Sequence, residues 1–571
     1  MYVAMHVDIV PNRGARPVAL LRESYRKGKK VRKRTLANLS SLSMDQVELL
    51  RRVLRGEKLA SVEDLFDCVR SLHHGHVEAV RTAMRRVDFE SLVASVPCRE
   101  RSLVCAMIAA QILAPRSKLG MTRWWQTTTI PEIYGVGEAT EDDLYAALDW
   151  LLERQARIEN KLAKRHLSEG GMVLYDLSSS YFEGRCCPLA ALGHDRDGKK
   201  GKLQVNYGLT TDGRGRPVAV SVFKGNTGDA KTLLPEVQTV RQRFGIKTAV
   251  LVGDRGMIGQ KQIDQLKDQE GVAWITALKT GAIRQLVQGG HLQIGLFDER
   301  NLFELSHPDF PGERLVACRN PALANLRVQK RLSLLDATAK ELDKVRGMAG
   351  RRLKGRDDIG VRVGKVVNKY KVAKHFDLEI LDDAFSYQVN QERVAAEAAL
   401  DGIYVVRTSV PADRLSTDDA VRSYKLLTRV EQAFHCLKTI DLHVRPIRHR
   451  TEDRVRAHIF LCMLAYYVVW HMIEAWRPVL FADEDQQAKT SRDPVAPAKR
   501  SPAAALKAAS KTLDDGSPVH SFDTLLHHLS GIVRNTCRRK RADDAEPTFD
   551  VITTPDPCQR RALDLLEAIT V

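Results

Sequence analysis

Three carboxylates in this chain stand where phosphoryl-transfer chemistry would need them. Asp176 ends the apolar run Val173-Leu-Tyr and begins Leu177-Ser-Ser-Ser-Tyr-Phe-Glu-Gly184; Asp254 follows Ala249-Val-Leu-Val-Gly253; Glu431 lies between Tyr424 and Lys438. Two aspartates at strand ends plus a glutamate on an inward helix face can hold two divalent cations. Such a pair clamps the attacking and leaving oxygens of an in-line displacement at phosphorus. Hard oxygen donors on rigid elements suit Mg2+ or Mn2+, which keep waters or substrate oxygens in their remaining positions. Taken singly, the aspartates have plainer readings, since an aspartate after an apolar strand is common and Asp254-Arg-Gly256 has the composition of a turn. Glu431 carries more weight. At about 100° per residue, Tyr424, Leu427, Glu431, Phe434 and Lys438 fall within about 80° of one another, inside the apolar stripe of a helix. A carboxylate there is costly unless paired or metal-bound, and Lys438 is too far along for the usual i, i+4 pair. Glu183, seven residues after Asp176, reads as a surface group or as one that supports a ligand from behind.

The elements that must position these residues follow from hydrophobic periodicity and turn chemistry. Val18–Tyr25, a basic turn at Gly28 and Val31–Ala37 predict a hairpin, and residues 44–58 a helix. From Val87 to about Leu167, apolar residues recur at helical intervals, predicting a helical domain. Met172–Tyr175 reads as a buried strand; Gln204–Thr210 and Pro217–Phe223 flank Thr211-Asp-Gly-Arg-Gly215, a hairpin signal. Lys231–Phe244 predicts a helix, Thr248–Val252 a buried strand, Ile258–Gln269 a helix and Val272–Leu278 a strand. That succession makes an α/β fold: a mixed sheet flanked by helices, with both aspartates at or just past the C-terminal ends of strands, where ligand crevices open. Residues 285–400 break the alternation and read as an inserted α+β subdomain, before strand character returns at Gly402–Thr408 and a helix at Asp418–Lys438. The expected division is a basic hairpin and helix region at 1–86 that binds DNA, a helical domain at 87–170, and a core in two parts at 171–284 and 401–482, split by the insertion. A flexible linker at 483–518, rich in Ala, Pro and Ser, and an appendage at 519–571 complete it.

The chain has 571 residues and a net charge of +18. The excess is concentrated: residues 1–60 hold fourteen Lys/Arg against five Asp/Glu, and residues 327–374 fifteen against five. Such stripes favour a polyanion, nucleic acid first. Ten scattered cysteines without a CxxC pair argue against a zinc site or a disulfide scaffold and fit reduced thiols. The N-terminus lacks the pattern of a secretory signal. The longest apolar run, Ile459–Trp470, is about twelve residues, short of a bilayer span, and predicts a buried helix.

Four motifs taken in order, Tyr175-Asp-Leu-Ser-Ser-Ser-Tyr-Phe-Glu-Gly184, Lys224-Gly-Asn-Thr-Gly-Asp-Ala-Lys-Thr232, Val252-Gly-Asp-Arg-Gly-Met257 and Val430-Glu-Gln-Ala-Phe-His-Cys-Leu-Lys438, resemble the DDE transposases of bacterial insertion sequences. The likeness is strongest to the subgroup with an insertion before the last glutamate, and it spans about Leu20 to Trp476. The resemblance implies an RNase H-like core in which Asp176, Asp254 and Glu431 bind two Mg2+ or Mn2+ ions. It implies cutting at terminal inverted repeats and joining of the 3′-OH ends to target DNA. It also implies that Tyr424 and Lys438 belong to a Tyr-x2-Arg-x3-Glu-x6-Lys signature, whose arginine position is here Leu427. Lys438, Tyr424, Arg255, Arg445, Arg448 and Arg450 are the expected DNA contacts; Asn226 and Asp229 belong to a family motif of lesser role. The expected partner is double-stranded DNA, bound by a homodimer in the bacterial cytoplasm at the nucleoid, with neither membrane nor small-molecule substrate. The competing readings are a DNA-binding descendant that no longer cuts and a metal-dependent nuclease without strand transfer.

Overall fold

A computed structural model describes residues 4–14, 16–57, 66–184, 186–298, 301–486, 492–540 and 547–571. The chain forms two compact units, one from residues 1–71 with 534–553 and the other from 72–533 with 554–571.

The smaller unit begins with an antiparallel sheet of β1 (Ala4–Val10), β2 (Val18–Lys27) and β3 (Lys30–Asn38). Gly28, at φ 62°, makes the basic turn between β2 and β3, a left-handed conformation that glycine adopts without a Cβ clash. Helix α1 (Met44–Leu54) starts in a capping box of Ser43 and Gln46 and buries Val47 against Val7 and Ala19. Strand β4 (Phe66–His73) lies in a second, three-stranded sheet with two strands from near the other end of the sequence, Val533–Arg539 and Phe549–Ile552. The expected appendage 519–571 is therefore shared between the units.

The larger unit opens with the expected helices: α2 (Gly75–Arg86), α3 (Phe89–Val93), α4 (Arg99–Leu113), α5 (Lys118–Trp124), α6 (Ile130–Tyr134), α7 (Glu141–Glu153) and α8 (Gln155–His166). Its centre is an eight-stranded sheet. Strand β5 (Met172–Tyr181) pairs antiparallel with β6 (Gln204–Asp212), which pairs antiparallel with β7 (Pro217–Lys224). After helix α9 (Leu233–Gln238), β8 (Ala249–Val252) runs parallel to β5; after α10 (Gln260–Lys267), β9 (Val272–Ala277) runs parallel to β8. Counted along the chain, these five strands lie in the order 3-2-1-4-5, the arrangement of an RNase H-like core.

Three antiparallel strands extend the sheet beyond β9. Following helix α11 (Thr280–Gln288), β10 (Leu302–Leu305) and β11 (Arg314–Arg319) form the edge, and β14 (Ile403–Thr408) lies between β11 and β9. The sequence pattern places β10 and β11 in the insertion. They belong to the core sheet because β11 is buried on both faces from Leu315 to Cys318, as interior strands are. The inserted α+β segment proper is α12 (Pro321–Met348), α13 (Arg356–Tyr370), β12 (Phe376–Ile380), β13 (Phe385–Val389) and α14 (Gln391–Ala398), around a core of its own that includes Leu342, Val345, Ile359 and Phe376.

The expected single helix 418–438 is broken. Helix α15 (Thr417–Lys425) ends at Leu426, α16 (Leu427–His435) restarts at once, and Cys436–Ile440 widens into a π-turn. The 25-residue helix α17 (Glu452–Trp476) runs through the interior. It is long and apolar enough to cross a membrane, yet 83% of its apolar stretch is buried within the protein. The stretch expected as a structureless linker contains a helix, Pro502–Ser510, capped by Ser501, whose hydroxyl bonds Asp483 at 2.8 Å; residues 487–491 lie outside the described residues.

Candidate active site

Alternation along β5 decides which face its aspartate occupies. Val173, Tyr175 and Leu177 pack under α9 and α10, whereas Leu174 belongs to the opposite cluster, beneath α16 and α17. Asp176 shares the face of Leu174. It sits mid-strand rather than at the strand's end, because β6 pairs with β5 over its full polar half, as far as Tyr181. On β8, Val250 and Val252 face the same way, and Asp254 follows two residues later in the loop. Helix α16, packed on β5, carries Glu431 over that face. Three stretches far apart in sequence thus present their carboxylates to one side of one sheet.

Asp176 lies within electrostatic reach of the other two carboxylates. The partly buried Asp176 carboxyl is raised to about 7, first by burial and further by the negative charges of Asp254 and Glu431. Two effects oppose the rise: the Leu177 amide donates to its Oδ1 at 2.8 Å, and Arg196 supplies positive charge. The Tyr424 hydroxyl, facing Asp254, is pushed up to about 12 by burial and by that carboxylate. Asp254 and Glu431 are both exposed. The burial expected for Glu431 is thereby corrected: restarting the helix at Leu427 turns Leu427, Val430, Ala433 and Phe434 inward and leaves Glu431 at the rim. Among the described residues, no three His, Cys, Asp or Glu side chains are drawn together into a closed metal cluster. The donor set nonetheless fits a divalent cation. It consists wholly of carboxylate oxygens, the hard donors such an ion takes.

Two expected DNA contacts are engaged elsewhere. Lys438 Nζ lies 3.1 Å from Asp197 Oδ1, and Arg445 binds the same oxygen. The Asp197 side chain is fully buried and also accepts the Tyr181 amide at 3.0 Å. Asp197 belongs to the excursion between β5 and β6, which folds back over the sheet; its neighbour Arg196 reaches Asp229 at 2.6 Å. Arg196 Nη1 is buried without a partner. Arg196 and Asp197 were not singled out from sequence, and the charged turn His194-Asp-Arg-Asp-Gly198 is the only signal that could have raised them. Arg255, Arg448 and Arg450 are exposed, with Arg448 3.3 Å from Glu183. Leu427, at the arginine position of the expected signature, is buried, and nearby Arg429 turns away to the Gly213 carbonyl.

Residues 185–468 match the family model described as transposase DDE domain, and residues 7–64 match the N-terminal domain of the IS1634 family of transposases. Asp254 and Glu431 lie inside the first span and Asp176 just before it. Among solved structures, the cryo-EM piggyBac transposase synaptic complex with hairpin DNA is similar at 8% identity and a TM-score of 0.33, over 79% of this chain and 77% of that one. No curated protein matches the chain.

Proposed function

We propose that this chain, which belongs to the DDE transposases of bacterial insertion sequences, cuts DNA at the terminal inverted repeats of its element and joins the freed 3′-OH ends to target DNA. The observation that carries this reading is the shared face of Asp176, Asp254 and Glu431, close enough for two of the carboxylates to raise the third. Divalent ions, two Mg2+ or Mn2+, would supply nucleophile activation and charge neutralisation on the leaving oxygen when bound there.

The chain's own residues do the positioning. Asp176 is delivered on a strand that pairs with β8 as far as Leu174 and with β6 throughout, Asp176 standing opposite Leu209, so its backbone has little freedom. Tyr424 faces Asp254 and orients it on the otherwise open loop after β8. Arg255, Arg448 and Arg450 offer exposed guanidinium groups to backbone phosphates. Lys438 and Arg445, through Asp197, pin the β5–β6 excursion beside the centre; in that role they shape the site before they touch DNA. The basic β2–β3 hairpin adds phosphate contacts of the kind that supply affinity rather than sequence choice. Joining two ends calls for two copies of the chain on DNA.

The test is a labelled duplex bearing the element's end, incubated with protein and Mg2+. Strand-transfer products are expected from the wild type, with none from Asp176→Asn although its DNA affinity stays within about twofold. Binding without cleavage by the wild type would mark a silent descendant, and indiscriminate degradation a nuclease. Loss of binding together with cleavage in the variant would assign Asp176 a structural role.

A further inference from the structure

A cleft of about 480 Å3 opens beside the loop that carries Asp254, where the core meets the inserted segment. Arg255 enters it from the loop after β8, Arg284 from α11 and Arg327 from α12. Among the described residues none of these three guanidinium groups has a hydrogen-bond or ion-pair partner, and Arg284 and Arg327 are exposed. The acids that also line the cleft are already neutralised. Asp401 is held by both its oxygens, at 2.6 Å each, by Arg331; Glu397 is held by Lys374 at 2.5 Å and His375 at 2.9 Å. The cleft therefore carries an unopposed positive excess. Thr280 and Gly281, at the N-terminus of the nine-residue helix α11, form part of its wall, and among the described residues no side chain caps the amides of that first turn. Free amides and a helix dipole both favour an anion there.

Three features select the anion. The donors are guanidinium groups and backbone N–H, the usual partners of phosphate oxygens. The cleft is walled but partly open to solvent, which suits a strand lying along it. Arg255 is covalently next to Asp254, so whatever the cleft holds lies beside the candidate centre.

We propose that this cleft is a phosphate subsite that grips the backbone of the DNA strand next to the bond being cut, with Arg284 and Arg327 as its principal donors. The inserted segment then acts as half of a clamp whose other half is the core. The proposal rests on the transposase reading.

The test compares the full-length wild type with Arg284→Gln/Arg327→Gln, by fluorescence anisotropy on element-end duplex without divalent ions. Both positions are exposed, so the melting temperature should not change; the two single variants repeat the measurement if the double variant is unstable. Between about 50 and 200 mM salt, the slope of log affinity against log salt should fall by about 1.8, or about 0.9 for each phosphate that is no longer neutralised. Duplexes with one neutral methylphosphonate linkage then locate the site. The wild type should lose affinity at one or two linkages beside the cut, and the double variant should be indifferent at those same linkages. An unchanged slope and linkage profile overturns the proposal. So does inorganic phosphate binding that the variant loses while its linkage profile stays as in the wild type, because the cleft would then hold a small anion. Failure of the wild type to cut or join ends defeats the transposase reading instead, and the binding profiles are read independently of cleavage.

Discussion

Replacing Asp197 with asparagine keeps an acceptor for the Tyr181 amide but removes the one negative charge shared by Lys438 and Arg445. The Lys438 side chain is 9% exposed and that of Arg445 20%, so the lysine is left as a buried cation without a counterion. Breaking a buried pair from one side costs ~3–5 kcal/mol, because the remaining charge has lost its water and gained nothing. Unfolding entropy scales at about 2.1 cal/mol/K per residue, so in a unit of about 480 residues this cost lowers the melting temperature by about 3–5 °C. The assay is thermal denaturation of Asp197→Asn, Lys438→Met and the double variant at pH 7. The double variant should recover most of the loss, since no unpaired ammonium remains. The deficit of Asp197→Asn should also shrink as pH rises. Burial already lowers the Lys438 pKa from 10.5, and removing Asp197 lowers it further. The unfolded chain then binds more protons than the folded one between that depressed value and 10.5, so stability rises with pH in that window. A shift below about 1 °C for Asp197→Asn, or a double variant no better than the single, refutes the reasoning.

Other parts of the fold make separate predictions. Arg407→Met strands the fully buried Glu313, which Arg407 binds through two nitrogens and Trp274 Nε1 bonds at 3.1 Å. A loss of ~3–5 kcal/mol is expected in urea denaturation followed by tryptophan fluorescence, and a loss under about 1 kcal/mol would contradict it. A methyl group at Gly225 lands on the Gln204 carbonyl, whereas one at Gly228 meets nothing within 4 Å. Gly225→Ala should therefore lower the yield of folded protein sharply and Gly228→Ala should not; equal behaviour would argue against the close approach. Glu159 is raised to about 7 by burial, against the opposing pull of Arg243, Gln155 and the Val220 amide. Its folded value lies above the unfolded 4.5, so its share of stability is complete below pH 4.5 and is lost as pH rises to about 7. Relative to Glu159→Gln, the wild type should lose stability across that window, and parallel curves would discount the shift.

Much of the core was legible because its signals are local. Continuous apolar runs marked β5, β8 and β9, and Asp-Gly between two alternating stretches marked the β6–β7 hairpin. Asp176 and Asp254 could be singled out because the first directly follows such a run and the second follows one after a single glycine. Less was legible where a partner strand or a local break sets the outcome. The extent of β5 depends on β6, whose pairing holds Ser178–Ser180 extended and leaves Asp176 mid-strand. The orientation of Glu431 depends on the restart at Leu427, which an unbroken 3.6-residue period misses. The assignment of β10 and β11 depends on β14, which lies more than eighty residues further on.

From the order of residues alone came five central strands of the core, β5 to β9, the excess of positive charge and the identity of three acids suited to one chemistry. Those properties reside in neighbouring residues and in residue counts. The tertiary structure alone decided that Lys438 answers to Asp197, 241 residues away, that three unpaired arginines share a cleft beside Asp254, and that Asp176 is the carboxylate driven towards neutrality. Pairing, burial and charge coupling depend on distance through space, and a chain's order along itself carries that distance only after it has folded.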